Sequence, residues 1–517
     1  MNTTTRREVL SGLGRGMLFL GMGPALAAEA GLRPRFFAEE GELHFGELEP
    51  FVALMQETEP DEMLPVLVNK LKQGVALQKL LSAGALANAR TFGGENYNGY
   101  HAFMAMIPAY EMSAFLPHDK KALPLLKVLY RNGTFMQDSG GRKYEVLRRL
   151  SRDAIEANAP EDSDGRAVRA ALRRVDVDAA EYSFARIAET STPSAAYNQL
   201  QSVIYEDIDV HRIVLAERVH DILRFVGHEH AHTMLRTSVR HCVDVESRRQ
   251  SRGKPEPGLR KTLPRLLDRY ELTTATKGSK APEDAYIEEL ANDIFAADRD
   301  TGAECMASAL AAGYDWKALG EALTLAANRL LLNDRGRKRG EPGKPKGSVH
   351  GASVGVHASD SARAWRNVTA AVDQGHRASS LIVGAYHVAG QSQRVGREAF
   401  DYRSKLDEVK TKNPVQLRQR LDEAIRAGDQ ALAVAITERY EQSGASPKEL
   451  FDTLLAHSIE PDGALHAEKY FVTSHVDFHT ARPTFRWRHA KGLARVCASQ
   501  AGFEAPGLDQ ARELLKG

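Results

Sequence analysis

Four histidines, His101, His211, His357 and His466, carry the chemistry that this sequence offers. Each falls near the start of a helical segment that follows a pair of helical segments. Imidazole is a ligand for iron, zinc, copper and nickel alike, so the ligand type points to a transition metal without choosing it. The chain has 18 histidines, and a lone histidine on an apolar helix face is ordinarily a hydrogen-bonded core residue. Recurrence at matching positions separates these four from the rest. If the helix pairs stack into a closed array, the four rings face one axis, as facing helices of bundles do when they build metal sites. His230 is a fifth candidate, as a substitute ligand or a neighbour of the site. Lys469 shares a helix face with His466, Tyr470 and Thr473, so it can reach whatever His466 binds. Burial would disfavour its charge and leave an amine able to act as a base. The alternative for Lys469 is a surface lysine one turn from a histidine.

A second constellation is literal. His228-Glu229-His230-Ala231-His232 satisfies H-E-x-x-H, in which two histidines one turn apart hold zinc and the glutamate activates water. Gly227 places it in a first helical turn, and no clear third ligand follows. A zinc metallohydrolase is therefore the alternative to an oxidoreductase. A third reading is non-catalytic, a helical-repeat scaffold that binds a partner along a concave surface.

The elements that position these residues repeat. Leu290 to Leu319 lies over Leu421 to Leu450 without a gap, at an offset of 131 residues that pairs Ile294 with Ile425, Asp298 with Asp429 and Gly313 with Gly444. Each copy predicts a helix, a second helix opened by aspartate and closed by glycine, and the start of a third. Val175 to Ile204 before His211 and Met63 to Arg90 before His101 are weaker copies. Alternating strand patterns are scarce, and Pro108 is expected to kink or divide the helix that carries His101. The expected fold is all-α, with helical hairpins stacked into one closed or solenoid-like domain over residues 31–517.

Sixty-nine Lys and Arg balance 68 Asp and Glu, so no global field suggests nucleic acid. A small-molecule substrate is expected. The basic stretches Ser251 to Gly258 and Asp334 to Gly347 read as solvated loops. Three widely spaced cysteines form no framework and read as small buried hydrophobes. The first thirty residues are expected to be a twin-arginine export signal: Arg6-Arg7 within Thr5 to Leu10, a weakly apolar run, and Ala25-Leu26-Ala27. That expectation puts the mature protein in the periplasm or outside the cell, and no other segment reaches membrane-spanning length. No nucleotide-binding glycine loop or serine-hydrolase elbow is expected in such a fold.

Three segments resemble the questin oxidase-like family. Asp209-Val210-His211-Arg212-Ile213 is similar to that family's helix with an early histidine. Val356-His357-Ala358-Ser359-Asp360 resembles its L-H-G-V-T element, with Ser-Asp in place of Val-Thr. Asp462 to Lys469 (DGALHAEK) is similar to its closing segment of aspartate, histidine and lysine. The resemblance implies an all-helical oxygenase-type protein with a histidine-rich non-haem iron site that acts on aromatic polyketides.

Overall fold

The computed structural model describes residues 41–273, 278–341, 344–349, 353–395 and 400–516, and the export signal expected in residues 1–30 lies outside them. Within this range the chain forms twenty-four α-helices, with three isolated bridges and no strand. The all-α expectation therefore holds. No helix among the described residues is long and apolar enough to cross a membrane.

The repeat seen in the sequence is a repeat of structure. One copy is Asp284–Ala296, Arg299–Ala311 and Trp316–Asn333, and the other is Pro414–Arg426, Gln430–Gln442 and Pro447–Ile459. The second helix of each is capped by its aspartate: Asp298 accepts from Thr301 N at 2.8 Å and Asp429 from Leu432 N at 2.9 Å. The turn that follows needs a left-handed residue, which Gly313 (φ 80°) and Gly444 (φ 70°) supply. The weaker copies are helix pairs as well. Val177–Thr190, capped by Asp176, precedes Pro193–Ile204, and Pro60–Lys72 precedes Leu77–Phe92.

After each of the weaker pairs, and after the third helix of each strong copy, comes a helix that bears one of the four histidines near its start. These are Tyr97–Met112 (the His101 helix), Val210–Val226 (His211), Val354–Ala371 (His357) and His466–Thr480 (His466). The His101 helix packs on the His211 helix, which packs on the His357 helix, which packs on the His466 helix. The last packs back on the first. Four helices from distant parts of the chain thus close a ring, and the helix pairs surround it. Pro108 does not divide its helix, which runs on to Met112. One apolar core extends without a break from Phe45 to Ala511. Cys242 and Cys497 are buried in it as free thiols, while Cys305 is half-buried.

Candidate functional site

The ring of helices brings the four histidines together. Ring centres are 4.7 Å apart for His101 and His211, 5.8 Å for His211 and His357, 5.2 Å for His357 and His466, and 5.3 Å for His466 and His101. Nε2 of His357 and Nε2 of His466 are 3.3 Å apart. Two nitrogens in a tetrahedral metal shell are separated by about 3.4 Å.

Local structure places an oxygen acceptor at Nδ1 of three of the rings. Asn96 caps the His101 helix by accepting from Gly99 N, and Nδ1 of His101 donates to Tyr97 O at 2.7 Å. Asp209 caps the His211 helix, accepting from the backbone N of His211 at 2.9 Å and of Arg212 at 3.2 Å, and it also lies 3.3 Å from Nδ1 of His211. Nδ1 of His466 is 3.3 Å from Gly463 O. An oxygen acceptor at Nδ1 selects the tautomer whose Nε2 carries a lone pair. In His101 and His211 that Nε2 is buried with no partner.

His466 is held by a costly turn. Gly463, Ala464 and Leu465 all have positive φ (50°, 49° and 60°), and two of the three are not glycine. Left-handed backbone costs such residues about 1–2 kcal/mol each. The fully buried Lys127 braces this turn by donating to Ile459 O at 2.7 Å and Pro461 O at 3.0 Å, and it pairs with Glu468 in the next helical turn.

The electrostatics favour neutral imidazoles at His101 and His357. Burial, reinforced by Lys469 and His211, holds His101 well below the usual histidine range. Burial, then His211 and Lys469, lowers His357 to about 3. Lys469 is itself 3 % exposed, and burial lowers its amine to about 8 against the opposing pull of Asp360 and Glu468. Burial raises the carboxyl of Asp360, which accepts from Thr473 at 3.1 Å.

Several neighbours of the site came from no sequence signal. Tyr97, 56 % exposed, lies with its ring 4.3 Å from that of His101, so the histidines sit one side chain beneath the surface there. Tyr100 contacts His101, His211 and His241. Asp209 would gain protons by burial, yet the imidazoles of His211 and His241 hold it well below the carboxylate range. His387 accepts from Trp365 Nε1 at 3.3 Å, and burial lowers it to about 4.

His230 is not part of this cluster. His211 opens its helix and His230 follows the end of it, so about 24 Å of helix lies between them. Its ring instead meets Phe45 at 5.4 Å. The H-E-x-x-H residues do not lie on one helix: His228–His230 is a 3₁₀ turn and the α-helix begins at Ala231. His228 and Glu229 are exposed, whereas His232 is largely covered and lowered to about 3 by burial and then Arg236. The spacing Gly351-Ala352-Ser353-Val354-Gly355 does spell Gly-x-Ser-x-Gly. Ser353, however, caps the His357 helix, donating to Val349 O and accepting from Val356 N.

Among the described residues, no group of three or more His, Cys, Asp or Glu side chains is arranged to hold an ion as it stands. Within the cluster the His357–His466 pair is at ligand spacing. A full shell needs the other two rings to turn their unpartnered Nε2 atoms onto the same point. Comparison with family models, with curated proteins and with solved structures returns no match.

Proposed function

We propose that this protein is a metal-dependent oxidoreductase in which His101, His211, His357 and His466 hold one transition-metal ion, most favourably iron, beside Lys469. The observation that carries the reading is the closed ring of four imidazoles, two with buried, unpartnered Nε2 atoms. The oxygen acceptors at Nδ1 of His101, His211 and His466 support it, because metal-bound histidines are oriented in this way. Imidazoles do not choose among iron, zinc, copper and nickel. Iron, and an aromatic or other small organic substrate, rest on the resemblance of the His211, His357 and His466 segments to the questin oxidase-like family.

Bound iron would supply one-electron chemistry toward dioxygen and substrate. The remaining work falls to the chain. Lys469, with its amine near 8, can take up or release a proton at Nζ close to neutral pH. Asp360 is a second buried acid that shares its field. Tyr97 and Tyr100 limit the access of water from the surface side. The Arg6-Arg7 segment supports export of the folded protein, and replacing both arginines with lysine should leave precursor in the cytoplasm.

Elemental analysis of protein purified without an affinity tag tests the centre. One equivalent of metal is expected, lost in His357→Ala and in His466→Ala and retained in His228→Ala and His232→Ala. The reverse pattern would move the site to the zinc motif and favour hydrolysis. Metal-free protein that tolerates all four substitutions would favour the binding scaffold.

A further inference from the structure

The ring of helices that carries the histidines also encloses a cleft further along. This cleft, about 980 Å³, is walled by all four ring helices: Tyr110, Phe225, Arg363, Val472 and Val476 line it, and Leu71 and Leu77 extend its apolar surface. At its lip Phe115 is 43 % exposed, with its ring 4.4 Å from that of His475. An exposed aromatic on an apolar cleft of this size is a surface that a ligand can cover.

The charges in the cleft are not balanced. Arg224 is paired with Glu111 at 3.1 Å. The lining also holds two further cations, Lys72 and Lys121, and one further carboxylate, Asp119. His475, lowered to about 4 by burial and then His479 and Arg363, is uncharged at neutral pH. Arg363 differs from these. It is only 7 % exposed, its Nη1 donates to Val472 O at 2.7 Å and lies 3.5 Å from Thr473 O, the buried carboxyls of Asp360 and Glu217 feel its charge, and its Nε is buried without a partner. A guanidinium held in this way presents a fork suited to a carboxylate.

We propose that this cleft binds an apolar molecule carrying one carboxylate, its body against Leu71, Leu77, Phe225 and Val476 and its carboxylate on Arg363. Arg363 lies six residues along the helix from His357, an axial rise of about 9 Å, so the carboxylate would sit at the end of the cleft nearer the histidine cluster. The assignment does not depend on a bound metal.

Calorimetric titration of the full chain in the presence of chelator tests it, using two pairs of probes: decanoate with decanamide, and 2-naphthoate with 2-naphthamide. At least one carboxylate should bind about tenfold or more tightly than its amide. The pair that does so distinguishes a flexible acyl chain from a flat ring. Arg363→Gln should erase the preference and Arg363→Lys should keep part of it. Val476→Trp, which fills the cleft from its wall, should weaken carboxylate and amide together and needs no change at the buried arginine. Equal binding of carboxylate and amide, no binding of either carboxylate, a preference that survives Arg363→Gln, or affinities unchanged in Val476→Trp would overturn the proposal. Because chelator is present throughout, a protein that binds no metal can still pass, and a metalloprotein can still fail.

Discussion

An imidazole whose Nδ1 is committed to an oxygen acceptor has only Nε2 left to use, and a buried Nε2 without a partner is a donor atom in want of something to bind. His101 and His211 are in that condition. Lys469 is the other residue whose environment makes a measurable statement. Its amine is near 8 in the fold against 10.5 ordinarily. Between those values the unfolded chain binds more protons, so stability rises with pH. The burial penalty of the charged form is fully present below pH 8 and gone above about 10.5, and it amounts to about 3 kcal/mol. Urea unfolding of the wild type and of Lys469→Met at pH 7 and pH 10 should show the wild type gaining on the variant by a comparable amount. Parallel shifts would mean that the amine keeps its ordinary value. The four histidines were legible because each lies near the start of a helix that follows a set of packed helices, and Lys469 because it shares a helix face with His466. Tyr97, Tyr100, His241, His387 and the second role of Asp209 were not, since each meets the site from its own helix at a spacing that no repeat fixes. His230 was misplaced because sequence proximity to His211 hides the length of the helix between them.

At the scale of elements, equivalence between the copies makes a quantitative claim. Asp298 and Asp429 cap corresponding helices with bonds of 2.8 and 2.9 Å. Asp298→Ala and Asp429→Ala should each cost about 1 kcal/mol, and the double variant about twice that, because the caps share no partner. Denaturant midpoints check this, and a strongly unequal pair would mean that one copy is held by packing alone. The turn before His466 predicts the opposite trade. Ala464→Gly relieves a left-handed strain and should raise stability by up to about 1 kcal/mol. It also loosens the backbone that aims His466, so the proposed metal should exchange with chelator faster than in the wild type. The helix pairs and their aspartate caps could be read from periodicity and cap chemistry. The Gly463 to Leu465 turn could not, because alanine and leucine carry no signal for left-handed backbone.

For the whole molecule, the consequential feature is that the site is assembled from both halves of the chain. His101 and His211 come before the basic loop at Ser251 to Gly258, and His357 and His466 come after it. Residues 251–256 of that loop are exposed, and the Arg252–Gly253 bond is open to trypsin, whereas Lys254 precedes proline and is not cut. Limited trypsin digestion should therefore cut there early. The His101 helix packs on the His466 helix and the His211 helix on the His357 helix, and one apolar core joins the two halves. The nicked fragments should consequently co-elute in native buffer, with the metal content of the intact protein, and separate only in denaturant. Each fragment refolded alone would hold two of the four imidazoles and should bind the metal at least a hundredfold more weakly. If a single fragment kept the metal at full affinity, the site would lie within one half of the chain, and the closed ring of helices would have no part in building it.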